Sequence, residues 1–136
     1  MYDELGESAE ARTMYEEVVA GFTAQLGATH TSTLAAKMNL AILLKNLGES
    51  AEARTMYEEV VAGYTAQLGA THTRTLKAKM KLAILLQRMA LAAEQNGERA
   101  EAAGLYRATA DAYEPKFGKD DVDVVHCRAK ARELSA

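Results

Sequence analysis

The chain has one cysteine, one proline and no tryptophan in 136 residues. A lone thiol, Cys127, cannot close an intrachain disulfide, so packing alone must hold the fold, and a reducing cytoplasmic compartment is expected. A single proline and the absence of any Asn-Gly or Asp-Gly pair remove the usual punctuation of β-hairpins and argue against a sheet protein. The longest apolar run, Leu40–Leu44 and its later copy, is far too short to cross a bilayer, and no signal segment is visible. A net charge of −3 gives no reason to expect nucleic acid or a membrane surface as partner.

Recognisable chemistry is also missing. There is no glycine-rich phosphate loop, no G-x-S-x-G and no H-E-x-x-H. His126 and Cys127 are adjacent, so on a helix they diverge by about 100° and form no nucleophile–base pair. Glu16-Glu17 and Glu58-Glu59 fall on helix surfaces with no apolar pocket to raise a carboxyl pKa. His30 and His72 recur at one place, with no cysteine or carboxylate beside them in sequence to complete a metal site. No catalytic, cofactor or metal residue is therefore assigned, and a non-enzymatic role is expected.

What the chain does have is a folding composition, 49% hydrophobic and 26% charged, arranged in repeats. Residues 5–46 and 47–88 differ at only six of 42 positions. A worn third copy spans 96–134, in which Gly97, Glu98, Ala100, Glu101, Ala102, Tyr106, Tyr113 and Gly118 recur at an offset of 49. The seven added residues, Met89–Gln95, amount to nearly two helical turns and so preserve the face of a helix that carries them. A fixed period in the range 20–50 implies stacked supersecondary units whose stability comes from nearest neighbours.

Each unit reads as two helices. Ala53, Met56, Tyr57, Val60, Val61, Tyr64 and Leu68 follow helical spacing, with Arg54, Glu58 and Glu59 off that face. Ser50 is expected as the N-cap and Gly69 as a left-handed terminator. Gly21 and Gly63 lie inside these helices, where glycine costs about 1 kcal/mol relative to alanine unless a close helix approach uses it. The pattern predicts six helices, over 7–26, 31–46, 50–68, 73–95, 99–117 and 121–134. The fold class is thus all-α, a right-handed α-solenoid of antiparallel helix pairs treated as one domain over 1–136, with a polar capping helix at its end.

The segment "TLAAKMNLAILLKNLGESAEARTMYEEVVAGYTAQLG" resembles the tetratricopeptide repeat (TPR) in the 42-residue form of kinesin light chains. The resemblance rests on Asn39-Leu40-Ala41, Leu43-Leu44, the Gly48 turn, Ala53, Tyr57 and the Leu-Gly-Ala-Thr-His-Thr loops. It implies a protein- or peptide-binding scaffold whose concave groove is lined by the first helix of each pair. In the family's phase Met1–Glu4 align with the end of such a first helix, which leaves a face of helix 7–26 exposed.

The copies differ at Phe22/Tyr64, Ser32/Arg74, Ala35/Lys77, Asn39/Lys81, Lys45/Gln87 and Asn46/Arg88. All but the first lie on the groove helix or its ends. Arg74, Lys77, Lys81 and Arg88 fall within an arc of about 60°, beside Met80 and Ile84 on one side and Leu85 on the other. Met38, Asn39 and Ile42 hold the equivalent places one repeat earlier. This basic stripe beside an adaptable Met/Ile surface suits an acidic segment or a C-terminal carboxylate. In clamp-type members of the family, an Asn, a Lys and an Arg grip such a carboxylate. Asn39, Lys77 and Lys81 match those places, with lysine where the clamp has arginine. Drift on an exposed face would leave the same differences.

Lys37 and Lys79, with Arg128 in the third copy, stand where the family has a large apolar residue. They either face a channel or lay their stems on the core and reach Glu58 or Glu59. The alternative role is structural: Met14, Tyr15, Val18, Val19 and Phe22 would form a self-association surface, giving a homodimer or one block of a longer array. Near-identity of the copies fits recent duplication and consensus design equally.

Overall fold

The computed structural model describes residues 4–136, with side chains from Glu7 onward; the expected alignment of Met1–Glu4 with a first-helix end falls outside that side-chain description. The described residues form six helices: α1 Glu4–Leu26, α2 Thr31–Asn46, α3 Ser50–Leu68, α4 Thr73–Gln95, α5 Arg99–Phe117 and α6 Val122–Ser135. No strand occurs among the described residues. Helices α1–α3 lie in one compact unit, up to Ala70, and α4–α6 in a second, Thr71–Ala136.

The ends of the helices follow local chemistry. Gly48 sits at φ 83°, which costs a residue without Cβ nothing. There the Glu49 N–H donates to the Leu44 carbonyl (2.9 Å) and the Gly48 N–H to that of Lys45 (3.1 Å), a Schellman stop. Gly69 also ends its helix at positive φ, but its ψ of 157° is extended, which corrects the expected left-handed helical terminator. Ser50 is the first residue of α3 rather than its N-cap; Glu49 holds that place without a side-chain bond. Better caps open the first helices. His30 Nδ1 accepts the Ser32 N–H (3.0 Å), His72 Nδ1 that of Arg74 (3.1 Å), and Asp121 accepts those of Asp123 and Val124.

In the first unit α2 packs against both α1 and α3. Leu34, Leu40, Ala41 and Leu44 of α2 are buried, as are Ala53, Tyr57, Val60 and Tyr64 of α3. Gly63 explains itself: a Cβ there would come within 2.6 and 2.8 Å of the two Leu34 methyl groups. Gly21, at the same position in α1, has nothing within 4 Å of that point.

In the second unit α5 packs against α4 and α6, burying Leu105, Tyr106 and Tyr113 with Leu86, Ala90 and Ala93 of α4 and Val124, Cys127 and Leu134 of α6. The seven added residues continue α4 without a break. They also deliver Glu94, whose carboxylate accepts the Tyr106 hydroxyl (2.7 Å) and the Lys130 ammonium (2.8 Å). Hydrogen bonding from Lys130, then from Tyr106, holds the Glu94 carboxyl below its ordinary range. Burial, reinforced by Glu94, pushes the Tyr106 phenol well above its own.

A lowered folded-state pKa stabilises the fold above the ordinary glutamate value of about 4.3, and that contribution is lost as pH falls through the folded value. Glu94→Gln is therefore expected to lower the melting temperature at pH 7, with the gap to the wild type closing towards pH 3. Thermal melts across that range check it, and a gap that persists in acid would count against a charge-based role.

Candidate basic interface on α4

The four cations of the stripe lie on α4, in the second unit. Arg74, Lys77 and Arg88 are exposed and Lys81 is half-buried. No ion pair engages any of the four among the described residues. Along the same helix Ile84 is 43% exposed and Met80 half-buried, whereas Leu85 turns fully into the core. The helix thus presents unpaired positive charge beside an apolar strip, bounded by its buried face.

One contributor escaped the comparison of the first two copies. Lys116, near the end of α5, places its ammonium 3.6 Å from the Met80 sulfur and 5.5 Å from the centre of the Phe117 ring. Phe117 in turn meets Tyr113 edge-on at 5.8 Å. The Tyr113 hydroxyl lies 3.4 Å from the Gln87 side chain, one of the positions at which the copies differ. Lys116 stands where the previous copy has Gln67, so the signal lay in the worn third repeat. A lysine at Met80 adds a fifth cation to the α4 surface, with an aromatic edge beside it.

The earlier counterparts belong to the first unit. On α2, Asn39 is exposed and Met38 and Ile42 are half-buried. The basic residue at the unusual place behaves as a packed stem: Lys37 is only 15% exposed, with its ammonium 3.5 Å from Glu59 and 3.5 Å from the Ala28 carbonyl. Glu58 pairs instead with Arg54, at 3.7 Å. Arg128 reaches Asp111 (3.0 Å) and Glu114 (3.4 Å), and these carboxylates raise its pKa. Neither Lys37 nor Arg128 offers a free charge.

Cys127 is fully buried, and burial raises its thiol pKa, with Asp123 adding to the effect; its neighbour His126 is exposed. No cluster of three or more His, Cys, Asp or Glu suited to a metal ion occurs among the described residues. No helix of the described residues is long and apolar enough to cross a membrane. On α1, Met14, Tyr15 and Val18 are exposed, at 66%, 39% and 48%, while Val19 and Phe22 are half-buried.

Residues 1–66 match the tetratricopeptide repeat family model. Two crystal structures of a Podosopora anserina protein, described as kinesin light chain nearly identical TPR-like repeats, one of them a point variant, share the fold. They superpose with TM-scores of 0.57 and 0.58 at 26% identity, over 98% of this chain and 62% and 61% of theirs. BtubC (BKLC) from P. vanneervenii shares the fold with a TM-score of 0.56 at 20% identity, over 98% of this chain and 59% of its own. This chain therefore spans about three fifths of the length of these structures. No curated protein matches it.

Proposed function

We propose that α4 binds an acidic segment or a C-terminal carboxylate, a reading supported by the match of residues 1–66 to the tetratricopeptide repeat family model and by the likeness to TPR-like repeat structures, a fold that generally serves as a protein-interaction scaffold. The observation that carries this is that Arg74, Lys77, Lys81 and Arg88, on one helix face beside Met80 and Ile84, make no ion pair among the described residues. Charge-assisted hydrogen bonds from lysine and arginine are about twice as strong as neutral ones. The Met/Ile strip and Lys116 supply apolar contact and one further cation. Binding needs no reacting group, and the reading is of a scaffold without catalytic activity.

A fluorescent peptide ending in several acidic residues and a free carboxylate should bind the chain in an anisotropy titration. Lys77→Glu with Lys81→Glu should weaken that binding by roughly tenfold or more, with a steep salt dependence in the wild type. Binding that ignores the double variant would remove the basis for the groove.

A second reading is favoured by the exposure of Met14, Tyr15 and Val18: the chain self-associates through α1. Sedimentation across a concentration series should then show a dimer that Val18→Glu abolishes.

A further inference from the structure

α2 and α4 are corresponding helices of near-identical repeats, yet they part company along one line. From Arg74 to Leu91 the exposed residues of α4 are Arg74, Lys77, Ile84, Arg88 and Leu91, with half-buried Lys81 filling the gap. The steps between these six are three, four, three, four and three residues. Every other position in that span is wholly or partly buried. Of the five positions that α2 shares with this line, Ser32, Ala35, Asn39 and Asn46 differ from their α4 counterparts, and Ile42 alone matches. The sixth, Leu91, comes from the added segment, which α2 lacks. Resting on the reading of α4 as a surface for acidic ligands, we infer that its occupant is an amphipathic helix of a partner protein. That helix is acidic where it crosses Arg74, Lys77 and Lys81 and apolar where it crosses Ile84 and Leu91.

Spacing selects a helix as the ligand. Alternating steps of three and four residues set successive anchors about 5 Å apart along α4. A helix that lays one narrow stripe on its neighbour repeats its own contacts at the same steps, so the two match position for position. An extended segment presents same-side residues about 6.7 Å apart. Over six anchors it runs more than one full step ahead of α4. The backbone argues the same way. Within α4 the amide and carbonyl groups are spent on the helix itself, so an extended ligand finds no strand edge to pair with. A helix brings its own backbone bonds and needs only side-chain contact.

Charge and hydrophobicity set the order of the ligand's residues. One half of the line holds three cations, none of them in an ion pair among the described residues. The other half holds Ile84 and Leu91, 43% and 47% exposed and two turns apart, with Arg88 between them. A wholly acidic stripe would press a carboxylate onto Leu91 and strip its water for no partner. A wholly apolar stripe would cover three cations without compensation. A stripe in two blocks satisfies both halves. The added segment is what makes the second half: a helix that stopped where α2 stops, at Asn46, would end at Arg88 and offer Ile84 alone.

The test titrates the full chain with a labelled peptide of about 20 residues, long enough to span the six anchors. Its single stripe, at steps of three and four, carries glutamates in one half and leucines in the other, on a neutral alanine- and glutamine-rich body. Anisotropy gives the affinity, and carbon chemical shifts of an isotope-labelled copy give the bound conformation. Saturable binding with helical shifts is expected. A central proline on the peptide's solvent side should weaken it roughly tenfold or more. Leu91→Gln should weaken it several-fold, yet leave the acidic-tailed peptide of the earlier titration bound as before. Extended shifts, or an affinity indifferent to the proline, would overturn the helical ligand while the basic reading of α4 stands. Indifference to Leu91→Gln would overturn the apolar half in the same way. Failure of both peptides up to about 0.1 mM would remove the basic reading as well. A dimer through α4 that excludes the peptide would assign the line to a second copy and likewise overturn the inference.

Discussion

Replacing Tyr57 with alanine is expected to destabilise the fold by about 3–5 kcal/mol, and the same replacement at Tyr15 by under about 1 kcal/mol. The two tyrosines sit in the same fifteen-residue sequence, so local propensity predicts equal effects. Burial predicts otherwise: Tyr57 is 1% exposed and Tyr15 39%. Truncating Tyr57 removes a large buried ring and leaves a cavity lined by side chains that relax only partly. Truncating Tyr15 removes a ring from an open face. A loss of 3–5 kcal/mol is a large share of the roughly 5–15 kcal/mol that holds an ordinary domain together. Denaturant unfolding of both variants by circular dichroism separates them, and equal midpoint shifts would contradict the difference in burial.

A second pair should differ even in sign. Gly21→Ala is expected to stabilise the chain by about 0.5–1 kcal/mol, because alanine is the better helix former and open space receives the methyl group. Gly63→Ala gains the same propensity but drives its Cβ to 2.6 and 2.8 Å from the Leu34 methyl groups and 3.3 Å from their parent carbon. Leu34 is 1% exposed, so its methyl groups must shift within a packed core to make room. Overpacking of this kind costs about 1–3 kcal/mol, so the net change should be a loss of roughly 1–2 kcal/mol. Adding Leu34→Ala tests the cause: in that background Gly63→Ala should lose its penalty, as a double-mutant cycle would read directly.

Much of the fold was legible because repeats write their punctuation in local chemistry. Gly48 and Gly97 stop helices through backbone bonds that need only themselves and the preceding turn. His30, His72 and Asp121 start them through a side chain that reaches two or three residues ahead. The added segment was legible too, since nearly two turns can lengthen α4 without changing which face it packs. Ser50 misled because serine is a favoured cap, yet the Schellman stop at Gly48 and Glu49 leaves no residue between the turn and α3.

The candidate site was harder to read. Arg74, Lys77, Lys81 and Arg88 stood out as differences between nearly identical copies, but Lys116 lies in a copy too worn for that comparison. Its approach to Met80 depends on how α5 packs against α4. Least legible was the contrast between α1 and α3. Two helices with the same spelling cannot show which of them another helix covers, because burial belongs to the neighbour.

That ambiguity acts on the chain as it folds. When α2 first forms, α3 and α1 offer it almost the same surface, and short loops tether it to both. Native pairing seats Leu34 over Gly63; a chain that seats it over Gly21 would make similar contacts while turning the wrong face of α2 to α1. Such a competitor differs from the native pairing in connectivity more than in contact energy, so refolding must sort the two by loop geometry. Near-identical repeats are thus expected to slow refolding, because any misregistered molecule must open before it can pair correctly.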